Sequence, residues 1–169
     1  MAQPKARTPV IDFGLARALH VIAIVLWIGG VGMVTTVLLP AIRRAHPPED
    51  RFAAFHALES RFARQARWST ALAGLSGFYM LWRIDAWNRF ALGAFWWMHA
   101  MVMTWLVFSF LLFVAEPLFM HRYLEQRAAR RPDATFRLIQ GLHWALLALS
   151  LITVGGAASG IAGVNLFAI

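Results

Sequence analysis

The feature that most constrains this chain is a set of long runs without a formal charge. Between Arg17 and Arg43 there is no Asp, Glu, Lys or Arg, and Leu19 to Leu39 is almost wholly apolar. Phe90 to Ala115 and Leu138 to the end of the sequence are two more such runs, and Trp68 to Trp82, bounded by Arg67 and Arg83, is a shorter fourth. About 20 apolar residues cross a hydrocarbon core, and flanking arginines snorkel to the two surfaces where a run is short. The runs therefore predict an all-α integral membrane protein, a single domain of four transmembrane helices with spans at 18–40, 67–84, 93–118 and 138–162. Composition agrees, since 60% of the 169 residues are apolar and 14% charged, against about 25% charged in soluble domains.

The connections give the topology. Pro47 and Pro48 followed by Glu49 and Asp50 mark a helix start, and Phe52, Phe55, Leu58 and Phe62 follow at helical spacing among Arg51, Arg61 and Arg64. This reads as an amphipathic cytoplasmic segment over 49–66 leading into the second span, with His56 an interfacial residue of no assigned role. The first connection carries Arg43, Arg44, Arg51, Arg61, Arg64 and Arg67, and the third Arg122, Arg127, Arg130, Arg131 and Arg137. Only Lys5, Arg7 and Arg17 precede the first span, and only Arg83 and Arg89 lie in the second connection. By the positive-inside rule the first and third connections are cytoplasmic and both termini periplasmic. The net charge of +8 is then mostly topological, and nucleic acid is not an expected partner. Trp82, Trp87, Trp96 and Trp97 fall at the outer boundary, with Trp68 and Trp144 near the inner one, as aromatic belts do. The N-terminal apolar run is too long for a conventional cleaved signal peptide and lacks its small-residue cleavage site.

Small residues mark close packing. Gly29, Gly30 and Gly32 in the first span, Gly74 and Gly77 in the second, and Gly155, Gly156, Ser159, Gly160 and Gly163 in the fourth let backbones approach. Gly156 and Gly160 form a GxxxG-like pair. Two readings stay open: tight helix contact or dimerisation, and room for a flat cofactor against a face without side chains.

Ionisable side chains inside spans are costly and mark functional sites, and here only histidines qualify. His20 lies a little over one turn inside the outer end of the first span, and His99 a similar distance inside the outer end of the third. The two fall at nearly the same depth on helices running the same way, which is what bis-imidazole ligation of a haem iron requires. His143 lies about one turn inside the cytoplasmic end of the fourth span, and His121 follows Pro117 at the cytoplasmic end of the third. That pair could carry a second haem, but its depths are mismatched and Pro117 is expected to kink or end the helix.

Met98, Met101 and Met103 surround His99, and thioether with imidazole suits Cu(I). Helical spacing leaves His99 and Met103 as the cleanest same-face pair, while methionine also fills gaps in apolar packing. Glu116 is the one acidic residue at a span boundary, placed to relay protons to a quinone or to pair with an arginine of the third connection. With no cysteine in the chain, disulfides, thiolate metal sites, Cys-linked haem and a Cys nucleophile are excluded. The spans hold no carboxylate pair, phosphate loop or HExxH.

The stretch from Leu19-His20 through Trp27, Gly29-Gly30 and Pro40 resembles the first helix of CopD-type (copper resistance D) membrane proteins and their HemJ-like relatives. The resemblance continues through Arg61-Phe62-Ala-Arg64, the helix of Gly74 and Gly77, and Trp97-Met98-His99. It implies a bacterial inner (plasma) membrane location, a ligand-type histidine at His20 and a functional histidine at His99. HemJ-like proteins are haem-b-binding protoporphyrinogen oxidases in which a lysine follows the W-x-H segment; this chain has Met101 there. CopD-type proteins are associated with copper uptake.

These readings lead to an expected b-type cytochrome. Its haem b would be bound by His20 and His99, with His143 available for a second, and would pass electrons between quinone or quinol and a periplasmic partner. The little soluble surface implies a redox partner subunit or a homo-oligomer. The alternatives are copper handling through His20, His99, Met101 and Met103, HemJ-like oxidase activity, and a structural subunit whose histidines only hydrogen-bond.

Overall fold

The computed structural model describes residues 8–163, and every regular element in it is helical. Lys5, Arg7 and the two ends on which the periplasmic expectation falls lie outside the described residues. The first rod joins α1 (Thr8–Met33), a π-helical stretch (Val34–Leu38) and α2 (Leu39–Ala45). Pro40 stands just after the π stretch; its missing N–H and its ring disturb the preceding turn, and the wider turn absorbs both.

The second rod is a single helix, α3 (Pro48–Arg83), with Pro48 in its first turn beside Glu49 and Asp50. The amphipathic segment and the second apolar run are thus one helix, about 54 Å long at 1.5 Å per residue. Its N-terminal half does not turn all its apolar side chains outward: Phe55 is buried, and Phe52 and Phe62 pack on the same cluster. After α3 the chain turns at Asp85, φ 48°, and two short 3-10 stretches, Trp87–Ala91 and Gly93–Phe95, lead into α4 (Trp96–Phe110). A π-helical stretch (Leu111–Met120) continues into α5 (His121–Arg130), and α6 (Pro132–Ile161) completes the fold. Of the two outcomes expected at Pro117, a kink or an end, the helix does not end there. The chain passes through it by widening to π geometry.

The helices form a four-membered ring in which α1 and α4 each pack on α3 and α6. The buried stripe of α3 carries Ala63, Ala66, Thr70 and Ala73, small residues alternately three and four apart that let helices run close together, and Ala73 and Gly77 meet α1. One core cluster gathers Ala23, Trp27, Val31, Ala73, Phe108 and Leu147. Within it Trp27 meets Phe108 edge-on, ring centroids 4.9 Å apart, bridging the diagonal from α1 to α4. A second cluster, Val34, Leu39, Ile42, Phe55, Phe136 and Ile139, closes the end where the first and third connections lie.

Three stretches are long and apolar enough to cross a membrane: Ile11–Ala45, Gly93–Arg130 and Pro132–Gly160. The run Trp68 to Trp82 of α3 is not among them, since it spans only about 22 Å against a core of about 30 Å. The outer surface is apolar, with Val25, Trp68, Leu75, Trp82 and Ile152 all exposed. Such helices with such an exterior belong in a lipid bilayer.

Candidate functional site

His20 projects from α1 onto α3. Its Nδ1 lies 2.8 Å from the carbonyl oxygen of Ala73 and 3.1 Å from Oγ of Ser76. A carbonyl can only accept, so Nδ1 carries the proton. The Ser76 hydroxyl donates to Leu72, 2.6 Å away, and is left as a second acceptor for His20. The edge of the imidazole rests over Gly77, where an added Cβ would stand 3.1 Å from Cε1. A carbonyl, a hydroxyl oxygen and a glycine thus fix one tautomer and one ring orientation, leaving Nε2 with its lone pair. Metal-bound histidines are oriented in this way by their second nitrogen.

His143 follows the same rule on α6. Its Nδ1 donates to the carbonyl of Ile139 at 2.9 Å, and its ring meets Phe55 edge-on at 5.6 Å. The hydroxyl of Thr35, in the π stretch after α1, donates to the His143 carbonyl at 3.4 Å and to that of Val31 at 2.7 Å. His99 is different: it is exposed on α4, with Phe90 edge-on at 5.2 Å. Among the described residues His20 and His99 share no hydrogen bond or ring contact, although they stand on diagonal helices of the ring. His121 and His143 are not brought together either, because His121 stacks on His56 of α3. Met103 is exposed on the face of His99, while Met98 is buried. No three His, Cys, Asp or Glu side chains converge as a metal-ligand group among the described residues.

The glycines meet aromatic rings. A Cβ on Gly74 would stand 2.5 Å from Trp105, and one on Gly156 2.5 Å from Trp96; Gly160 is filled by Trp97 and Gly30 by Phe62. The indole N–H of Trp105 also donates to the Thr70 carbonyl at 3.0 Å, which locks the ring in its notch. Gly156 and Gly160 therefore receive side chains from α4, and close approach here is ring to backbone. Inside the bundle the indole N–H of Trp27, the indole N–H of Trp97, and the hydroxyls of Thr70 and Ser109 are buried without a hydrogen-bond partner among the described residues. Buried polar groups are normally satisfied.

At the arginine-rich end, Glu116 does pair with an arginine, but with Arg67 of α3 and not with one from the third connection. Arg67 also donates from Nε to the Leu112 carbonyl at 3.0 Å. Glu59, one face of α3 away, has its carboxyl pushed up to about 7, first by burial and then by the charge of Glu116, with Arg67 opposing. Sequence reasoning missed this group. The signal available was positional: a proline inside a span leaves a carbonyl without a donor, and an arginine at the facing boundary can supply one.

Comparison with protein families, with curated proteins and with solved structures gave no match.

Proposed function

We propose that the chain is a membrane-embedded b-type cytochrome. The reading rests above all on His20, whose Nδ1 is anchored to the Ala73 carbonyl and whose Nε2 is free within an apolar bundle. In this reading His20 would hold the haem iron from α1, and His99, exposed on the diagonal helix α4, would have to turn inward to meet it; His143, anchored to Ile139 in the same manner as His20 to Ala73, is the candidate for a second. Bound haem supplies reversible one-electron chemistry. The protein's own part is to fix the imidazole through Ala73, Ser76 and Gly77 and to exclude water with Trp27, Phe108 and Leu147. The unpartnered donors of Trp27 and Thr70 are suited to the polar edge of a ligand, either a propionate or a quinone carbonyl.

The fourth crossing belongs to the same reading. The run Trp68 to Trp82 crosses as the second span because one side packs on α1 while Trp68, Leu75 and Trp82 face outward, with Arg67 and Arg83 reaching the two surfaces. The arginine-rich end is cytoplasmic, in a bacterial inner membrane, and electrons pass between quinol and a partner on the opposite side. The test is absorption spectroscopy and metal analysis on one purified sample. A reduced α band with one or two irons per chain supports the cytochrome. Copper without a haem band overturns it in favour of His99 and Met103, and a colourless, metal-free protein overturns both.

A further inference from the structure

The histidines given no redox role form a cluster of their own. His56 of α3 and His121 of α5 stack with ring centroids 4.2 Å apart and planes 28° apart. Phe52 covers both, at 6.2 Å from His56 and 6.5 Å from His121. Each imidazole has its own carboxylate: Glu59 lies 3.9 Å from Nδ1 of His56, and Glu125 lies 3.9 Å from Nε2 of His121. All four are partly open to solvent, so protons reach them freely.

What the stack holds is α5. This helix has no buried residue. It packs mainly along α6, with Leu124 at the edge of the second core cluster, and reaches α3 through His121. Three arginines at this end are engaged elsewhere: Arg67 with Glu116, Arg51 with Asp133 at the start of α6 at 2.7 Å, and Arg127 with Tyr123 at 3.2 Å, while Arg61 and Arg64 of α3 and Arg122 and Arg130 of α5 add positive charge around the stack. The stack is stable while at most one ring is charged, because a neutral imidazole packs well against an imidazolium and the carboxylates balance one positive charge. Two imidazolium rings at this separation repel, and the stack with Phe52 over it is the aromatic contact that joins α5 to α3.

We propose that the His56–His121 stack is a proton-operated latch that holds α5 against α3 near neutral pH and releases it on acidification. Glu59, 3.9 Å from Nδ1 of His56, has its carboxyl raised to about 7, so acidification also removes the counter-charge beside His56. The latch lies at the cytoplasmic end in the orientation proposed above, and its action needs no cofactor.

The chain contains no cysteine, so a pair of spin labels can be placed cleanly at Ala57→Cys on α3 and Gln126→Cys on α5, both exposed. Their distance distribution, measured in detergent, is expected to be narrow at about pH 8 and to lengthen and broaden by about pH 5.5, a range that brackets the ordinary imidazole value. His56→Phe and His121→Phe keep a ring in the stack without its charge, and each is expected to hold the narrow distribution throughout. A wild-type distance that ignores pH overturns the proposal, and so does an unchanged pH response in His121→Phe. Circular dichroism of each variant separates release of α5 from loss of helix.

Discussion

The Nε–H of Arg67 donates to the carbonyl oxygen of Leu112 at 3.0 Å, and that oxygen is free because of Pro117, five residues further on. In π geometry residue 117 would donate to residue 112, and proline has no N–H to give. Arg67 supplies the missing donor across the helix interface and pairs with Glu116, the residue beside the proline. One side chain thus ties α3 to the widened segment between α4 and α5.

Replacing Arg67 by Leu leaves the Leu112 carbonyl and the Glu116 carboxylate without partners. The expected loss is about 1–2 kcal/mol in detergent, below the value for a fully buried charged hydrogen bond because about a third of each side chain stays exposed. In a Pro117→Ala background the backbone regains its donor, so the same substitution is expected to cost less. A double-mutant cycle on thermal unfolding measures the difference, and strict additivity would show that Arg67 and Pro117 are unrelated.

The aromatic-filled notches separate glycines that matter from glycines that do not. Gly74→Ala and Gly156→Ala drive a methyl group into Trp105 and Trp96, and each is expected to cost about 1–3 kcal/mol through overpacking. Gly29 and Gly155 have nothing within 4 Å of an added Cβ, so their alanine variants are expected to match or slightly exceed the wild type in helix stability. Equal melting temperatures across all four variants would contradict the packing described here.

Much of the fold was legible in the sequence because charge-free length is a direct statement about solvent. The apolar runs, the start of α3 after Pro47, and the gathering of arginines at one end follow from that alone. That the chain continues through Pro117 was not legible, because a span has neighbours that can donate to a freed carbonyl, and Arg67 is far away in sequence. The tryptophans in the glycine notches were illegible for a similar reason: a glycine announces a close approach but not which ring fills it. Of the site, His20 was found by its depth in a span. Its anchors Ala73, Ser76 and Gly77 carry no signal of their own, and the stack of His56 on His121 depends on α5 folding back beside α3.

Glu59 gives the protein a distinct pH dependence. Its folded value of about 7 lies above the ordinary 4.5, so the folded state holds more protons than the unfolded state between those two values. Its contribution to stability therefore falls as pH rises through that window. Glu59→Gln is expected to remove this slope and to be more stable than the wild type at about pH 8. Difference infrared spectroscopy should show a protonated carboxyl band that disappears as pH is raised through 7 and that is missing in Glu59→Gln; no such band in the wild type would refute the assignment.

Gly77 tests how the imidazole of His20 is held. A methyl group there stands 3.1 Å from Cε1 and must tilt the ring away from Ala73 and Ser76. Haem affinity is expected to fall about tenfold, the usual cost of disturbing the group behind a ligand. Helix content should be unchanged. A Gly77→Ala protein with wild-type haem affinity would show that ring orientation is not set at this contact.

The most direct measurement is the dithionite-reduced minus oxidised spectrum of His20→Ala beside the wild type, with iron measured in both. The wild type is expected to show a b-type α band, and the variant to lose it together with the corresponding iron while remaining a helical membrane protein. An undiminished band in His20→Ala, or no band in the wild type, would contradict the assignment of His20 as a haem ligand.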